Sequence, residues 1–141
     1  MPTRSADAEW KGDLQGGNGT MSFGSGAFEG SYSFASRFEE GDGTNPEELI
    51  AAAHAGCFSM FLAGVLGKAG HEPDSVRTSA RVSIEPEDGG FGIKRSELST
   101  QVAVDGVDDE QLQQYAEESK RDCPVSRALG AIEVGLEARS V

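Results

Sequence analysis

The sequence predicts an α+β domain in which helices pack on a largely antiparallel sheet. Three observations predict it. Val76, Thr78, Ala80, Val82 and Ile84 alternate with Arg77, Ser79, Arg81, Ser83 and Glu85, the two-residue period of a half-buried strand. The segment 46–66 is apolar nearly all round, as a central helix would be. The order of signals along the chain is short strands, long helix, hairpin, helix, strand. A chain of 141 residues holds one domain with a real core, so residues 1–141 are expected to form a single domain.

In the Gly-rich N-terminal third, "AEWKG" and "GTMSF" read as short strands joined by "DLQGGN". "YSFASRF" (32–38) reads as a further strand, with Tyr32, Phe34, Ser36 and Phe38 on one face and Arg37 on the other. In "EEGDGTNPEELI", Asn45 is a good N-cap, Pro46 suits the first helical position and Glu48 completes a capping box. Glu47 adds a negative charge at the positive end of the helix dipole. The helix is predicted over 46–66, with Gly67 and Gly70 as its stop. After strand 76–85 and the turn "EPEDGG", the apolar positions of 91–104 change phase near Lys94–Glu97, which predicts a bulge. A second helix over 108–122 carries Asp108 and Gln111 as a capping box, with Leu112, Tyr115, Ala116 and Ser119 on one stripe. Pro124 opens a short helical turn, and a last strand places Ile132, Val134, Leu136 and Ala138 on one face.

Composition narrows the function classes. The net charge of −12 leaves nothing to neutralise phosphates, so no nucleic-acid partner is expected. Only 37% of residues are hydrophobic while 19 are glycine, a lean core for a chain with so apolar a helix. One sheet covers one side of such a helix. A homodimer with two of these helices back to back would cover the rest, and would also cover the face bearing Arg37. The apolar run is interrupted by His54, Gly56, Ser59 and Gly64, so a buried helix is expected rather than a membrane span. The N-terminus lacks the apolar stretch of a signal peptide, and a cytoplasmic location is expected.

The candidate chemistry lies in two cysteines. Cys57 and Cys123 form no CxxC motif, and with His54 and His71 they show no zinc-like spacing, so neither a metal nor a cofactor is expected. From the helix alone, Cys57 reads as a small packing residue. His54, three positions earlier, shares its face and suits either a base or a satisfied core histidine. The helix dipole acts only over the first turn and does not reach Cys57. Cys123, at a helix boundary beside Lys120, Arg121 and Arg127, is expected to be less buried and more mobile.

"TNPEELIAAAHAGCFSM" (44–60) and "CPVSRAL" (123–129), extended by "AEWKGD", "GNGTMS" and "YSFASRF", resemble the OsmC/Ohr family of thiol peroxidases, most closely its OsmC branch. The resemblance covers essentially the whole chain. It implies an intertwined α+β homodimer around two long central helices, with active sites at the subunit interface. It implies reduction of organic hydroperoxides to alcohols, with Cys57 as the attacking thiol and Cys123 as the resolving thiol, joined in an intramolecular disulfide. Arg37 matches the arginine that steadies the thiolate, and Glu47 the glutamate that orients that arginine. His54 stands where the family varies. The implied reductant is an external dithiol, plausibly of lipoyl type. A non-catalytic redox sensor or a stress-induced binding protein would use the same two thiols, and turnover separates these readings.

Overall fold

The strong alternation of residues 75–104 folds into the longest paired segment of the chain. The computed structural model describes residues 1–141. They form two compact units, residues 1–49 and 50–141, with ten elements in all.

In the first unit, strands β1 (Ala6–Lys11), β2 (Asn18–Phe23) and β3 (Glu29–Tyr32) form an antiparallel sheet in the order β1-β2-β3. The predicted strand over 32–38 is not one strand. The chain leaves β3 at Tyr32, and Phe34–Phe38 form a one-turn helix, α1. Two serines cause this. The Ser36 amide donates to Ser33 Oγ (3.1 Å), and the Ser33 amide donates to Ser36 Oγ (2.8 Å), a reciprocal cap that starts the turn. Phe34 and Phe38 then meet at the four-residue helical spacing, with ring centroids 4.9 Å apart. Phe34, Ser36 and Phe38 satisfy a two-residue period as well, which is why alternation misassigned them.

Helix α2 (Pro46–Lys68) starts in the first unit and continues through the second. Asn45 caps it as expected, its Oδ1 accepting from the Glu48 amide at 2.8 Å. Glu48 does not close a capping box, because its carboxylate accepts from the Thr44 hydroxyl (2.8 Å) instead. The helix runs through Gly67 and stops at Gly70, whose φ of +89° suits a glycine at a helix end.

In the second unit, β4 (Ser75–Glu87) and β5 (Gly90–Ala103) form the predicted hairpin. The register shifts where Ser83 faces Arg95 and Ile84 faces Ile93, so Lys94 is the extra residue of a bulge inside the predicted window. Helix α3 (Asp109–Asp122) carries the predicted cap, with the Gln111 amide donating to Asp108 Oδ1 at 2.8 Å. A short helix α4 (Pro124–Ala128) follows, and β6 (Glu133–Ser140) returns to pair with β5 in parallel. The other three strand pairings are antiparallel.

The core of this unit is built on one stripe of α2. His54, Phe58, Leu62 and Leu66, four residues apart, are all fully buried. Phe58, Leu62 and Leu66 pack with Leu98 and Val102 of β5, Leu112 and Ala116 of α3, and Cys123. Much of the rest of α2 stays at least partly exposed. Its most apolar window is only 22% buried, and Met60 is 81% exposed. By length and composition alone, α2 would also pass for a membrane span.

Candidate active site

The four residues singled out from the sequence occur as two pairs, one in each unit. The first pair is Arg37 and Glu47. Arg37 closes α1, and Glu47 lies in the first turn of α2. The guanidinium meets the carboxylate edge-on: Nε donates to Oε1 (3.1 Å) and Oε2 (3.3 Å), and Nη2 donates to Oε1 (2.8 Å). Two parallel charge-assisted hydrogen bonds fix the plane of the fork as well as its position. Glu47 is 5% exposed and sits where the helix dipole favours a carboxylate. The Arg37 side chain keeps 35% of its surface exposed, so one side of the fork remains open. Its Cζ lies 5.4 Å from the centre of the Phe38 ring, a further restraint on the guanidinium.

The backbone between the two residues is tied down by polar contacts. Ser36 Oγ donates to the Thr44 carbonyl (2.7 Å), and Asn45 Nδ2 donates to the Ser36 carbonyl (2.9 Å), clamping α1 to the start of α2. Gly43 turns the chain between them with a φ of +116°, and a Cβ there would collide with the Ser31 carbonyl. Arg37 therefore projects from a capped turn, not from the opposite face of a strand as the alternation suggested.

The second pair is Cys57 and Cys123. Both are free thiols, and their sulfurs are 2.9 Å apart. Cys57 sits mid-way along α2 and is half-buried. Cys123 joins α3 to α4 in a non-helical conformation, its amide bonded to the Ser119 carbonyl at 2.9 Å. Cys123 is not the exposed, mobile thiol expected from its place at a helix boundary. It is fully buried, because its side chain turns into the core while its charged neighbours turn out. Arg121 pairs with Asp122 and Lys120 with Glu117, so neither cation is spent on the sulfur. Cys123 needs no long excursion to reach its partner.

Burial pushes the Cys57 thiol above its ordinary pKa, and the hydrogen bond shared with Cys123 pushes the same way. The Val125 backbone amide, at the start of α4, works in the opposite direction. The balance within this unit favours the neutral thiol.

His54 is resolved as a satisfied core histidine. Its Nδ1 hydrogen-bonds Ser96 Oγ of β5 (2.7 Å) and its Nε2 hydrogen-bonds Ser126 Oγ of α4 (2.8 Å). Burial holds its pKa below the ordinary value, so the ring is neutral, with one nitrogen donating and the other accepting. Both nitrogens are engaged by serines, and neither serves as a base toward Cys57. Ser96, Ser126 and the Val125 amide carry no signal in the sequence, since their partners lie far away along the chain.

An open groove of about 350 Å³ runs beside Cys57, lined by Met60, Phe61, Gly64, Val65, Lys68 and Pro124. Of the aromatic and apolar residues near Cys57 in sequence, Met60 and Phe61 face this groove, while Phe58 packs the core.

A family model described as OsmC-like protein matches residues 39–137. The peroxiredoxin OsmC of Escherichia coli (strain K12) is 46% identical over 129 residues, 91% of this chain and 90% of that protein. An organic hydroperoxide resistance protein of Xanthomonas axonopodis pv. citri (strain 306) is 38% identical over 98 residues, 68% of this chain and 67% of that one. Among solved structures, an organic hydroperoxide resistance protein from Elizabethkingia anophelis aligns with a TM-score of 0.81 at 30% identity, covering 100% of this chain and 98% of the other. That of OhrB from Bacillus subtilis aligns at 0.75 and 27% identity, covering 96% and 98%. The α+β architecture inferred from the sequence and the family suggested by its two cysteine segments agree with these matches: the chain belongs to the OsmC-like protein family.

Proposed function

We propose that this protein is a thiol-dependent peroxidase that reduces organic hydroperoxides to alcohols. The observation that carries this reading is the contact of two free thiols, 66 positions apart in sequence, with sulfurs 2.9 Å apart. A sulfenic acid formed on one would meet its resolving partner at once. The names borne by the relatives, peroxiredoxin and organic hydroperoxide resistance protein, support the same chemistry.

In the proposed cycle, the Cys57 thiolate attacks the peroxide oxygen. The O–O bond breaks, the alkoxide leaves as the alcohol after gaining a proton, and Cys57 becomes a sulfenic acid. The Cys123 thiol displaces that hydroxyl as water, forming the Cys57–Cys123 disulfide. An external dithiol of lipoyl type restores both thiols and is itself oxidised.

Magnitudes assign Arg37 its role. An unperturbed thiol of pKa about 8.5 is only a few per cent thiolate at pH 7. The surroundings of Cys57 lower that fraction further. An arginine at hydrogen-bonding range lowers an acid's pKa by roughly 1–3 units, which offsets burial and restores the thiolate. Ionisation gains at most about thirty-fold at pH 7, and part is lost because nucleophilicity falls with pKa. The remaining acceleration comes from stabilising the leaving alkoxide. In this reading Arg37 does both, with Glu47 fixing its plane.

The exposed apolar surface of α2 supports a homodimer in which a second copy covers it. The proposed active unit is a single domain spanning 1–141 in each copy. It is cytoplasmic, and a water-soluble dimer accounts for the apolar helix without a membrane. The groove lined by Met60 and Phe61 supports alkyl over hydrogen peroxide as substrate.

Steady-state consumption of cumene hydroperoxide with a dithiol tests the reading. Many equivalents per chain are expected, falling to the buffer rate in Cys57→Ser. One equivalent per chain, with no turnover, would identify a sensor instead. Unchanged consumption in Cys57→Ser would remove the thiol chemistry altogether.

A further inference from the structure

The histidine that the proposed cycle does not use is placed to control its second step. His54 is fully buried on the core stripe of α2, one turn before Cys57. Its ring bridges two elements distant in sequence, Ser96 of β5, 42 positions on, and Ser126 of α4, 72 positions on. Ser96 is itself fully buried, and Ser126 is 6% exposed, so water does not replace either partner cheaply.

Helix α4 packs Val125 against the core but has few polar anchors. It starts at Cys123 with no side-chain cap, and it is only five residues long. Its hydrogen bonds to side chains elsewhere in the fold run from Ser126 to His54 and from the Val125 amide to Cys57. The same short segment delivers both groups that touch Cys57 from this side: the Cys123 sulfur at 2.9 Å and the Val125 amide. Cys123 directly precedes Pro124, so a shift at the start of α4 bears on both groups. Disulfide closure depends steeply on such placement, since two sulfurs must meet in one narrow geometry.

We propose that His54 is a positioning residue for the resolving step, holding the Cys123–Ala128 segment through Ser126 so that Cys123 stays against Cys57. This rests on the roles of Cys57 and Cys123 proposed above. It assigns His54 no proton transfer and no contact with peroxide. Ser96 orients the ring from the other side. The clamp works with either tautomer, because a serine hydroxyl donates or accepts as required.

Three variants test it. His54→Gln puts an amide near the Nε2 position and keeps the reach to Ser126. His54→Asn puts one near Nδ1 and keeps only Ser96. Ser126→Ala removes the link and leaves the histidine. Each is reacted in single turnover with one equivalent of cumene hydroperoxide and no reductant. Peroxide loss reports the first step, and dimedone trapping of the Cys57 sulfenic acid reports its lifetime before closure.

Closure is expected to slow by roughly tenfold or more in His54→Asn and Ser126→Ala, the scale of one buried hydrogen bond lost. It should slow more than the first step does, so that sulfenic acid accumulates, and His54→Gln should recover most of the rate. A second arm oxidises the reduced proteins with diamide, which takes the two thiols to the disulfide and is itself reduced to the hydrazine. That arm needs no peroxidase activity, so it separates failure of the clamp from failure of the peroxidase reading. Thermal melting reads stability alone. Lowered melting temperatures with wild-type closure in both arms would overturn the proposal, as would closure in His54→Asn equal to that in His54→Gln.

Discussion

The Arg37–Glu47 pair and the Cys57–Cys123 pair are held by opposite means. The first is local, ten positions apart, and largely polar: a bidentate ion pair, two serines, a threonine and an asparagine clamp it. The second is 66 positions apart and lies against an apolar core, with the Val125 amide and a histidine–serine bridge as polar supports. A guanidinium is positioned by directional hydrogen bonds and needs some access to solvent or substrate. A thiol pair needs proximity, which packing supplies, but packing also desolvates the sulfur and raises its pKa. The proposed chemistry therefore divides: the core keeps the sulfurs together, and the polar cluster is proposed to supply the charge that the core removes.

Removing that charge is the sharpest way to break this division. Arg37→Ala should lower kcat/KM for cumene hydroperoxide by about 10²–10³-fold, the range for loss of a donor that stabilises developing oxyanion charge. The pH dependence carries the sign. In the proposed cycle Cys57 reacts as the thiolate, and its surroundings raise its pKa, so without Arg37 the first-step rate should rise later, toward higher pH, than in wild type. Wild-type rates, or an unshifted profile, would dissolve the contrast between the two pairs. Arg37→Lys should recover only a small part, because an ammonium lacks the planar fork that Glu47 grips.

A smaller change sharpens the same contrast. Glu47→Gln keeps the shape of the clamp but trades a carboxylate for an amide. About tenfold loss in kcat/KM is expected, with the protein still folded by circular dichroism. A loss as large as that of Arg37→Ala would mean that the glutamate does more than orient the fork.

The polar cluster and the core also differ in how plainly they appear in the sequence. The caps of α2 and α3 and the bulge at Lys94 were legible because each is set by residues within a few positions. Arg37 and Glu47 were legible as residues, yet the turn that carries Arg37 was not. "FASRF" satisfies a strand period and a helix period alike, and only the reciprocal Ser33–Ser36 cap decides between them. Cys123 was misjudged in the other direction. Charges beside it in sequence suggested exposure, whereas a helix junction points adjacent residues to opposite sides, and the core claimed the thiol. His54 remained ambiguous because its partners, Ser96 and Ser126, are brought by β5 and α4 from far along the chain. The parallel pairing of β6 was likewise invisible, since alternation fixes which face is buried but not which neighbour a strand chooses.

The smallest expected effect concerns stability in the core. His54 is neutral when folded, with its pKa below the unfolded value of about 6.5. Its contribution is therefore fully present above that pH. It is lost as pH falls, because the unfolded chain binds the proton first, at up to about 1.4 kcal/mol per pH unit. Urea unfolding of wild type and His54→Gln at pH 7 and pH 5 should show the larger loss in wild type. Equal losses would mean that the ring is protonated in the folded state.

The most direct test of the account is a single oxidation of the reduced protein without reductant. One equivalent of cumene hydroperoxide per chain should be consumed, both thiols should disappear, and mass spectrometry should find one Cys57–Cys123 disulfide and one equivalent of alcohol. Cys123→Ser should stop at the Cys57 sulfenic acid. Peroxide consumed with both thiols still free, or oxidation at another residue, would contradict the claim that these two sulfurs do the chemistry.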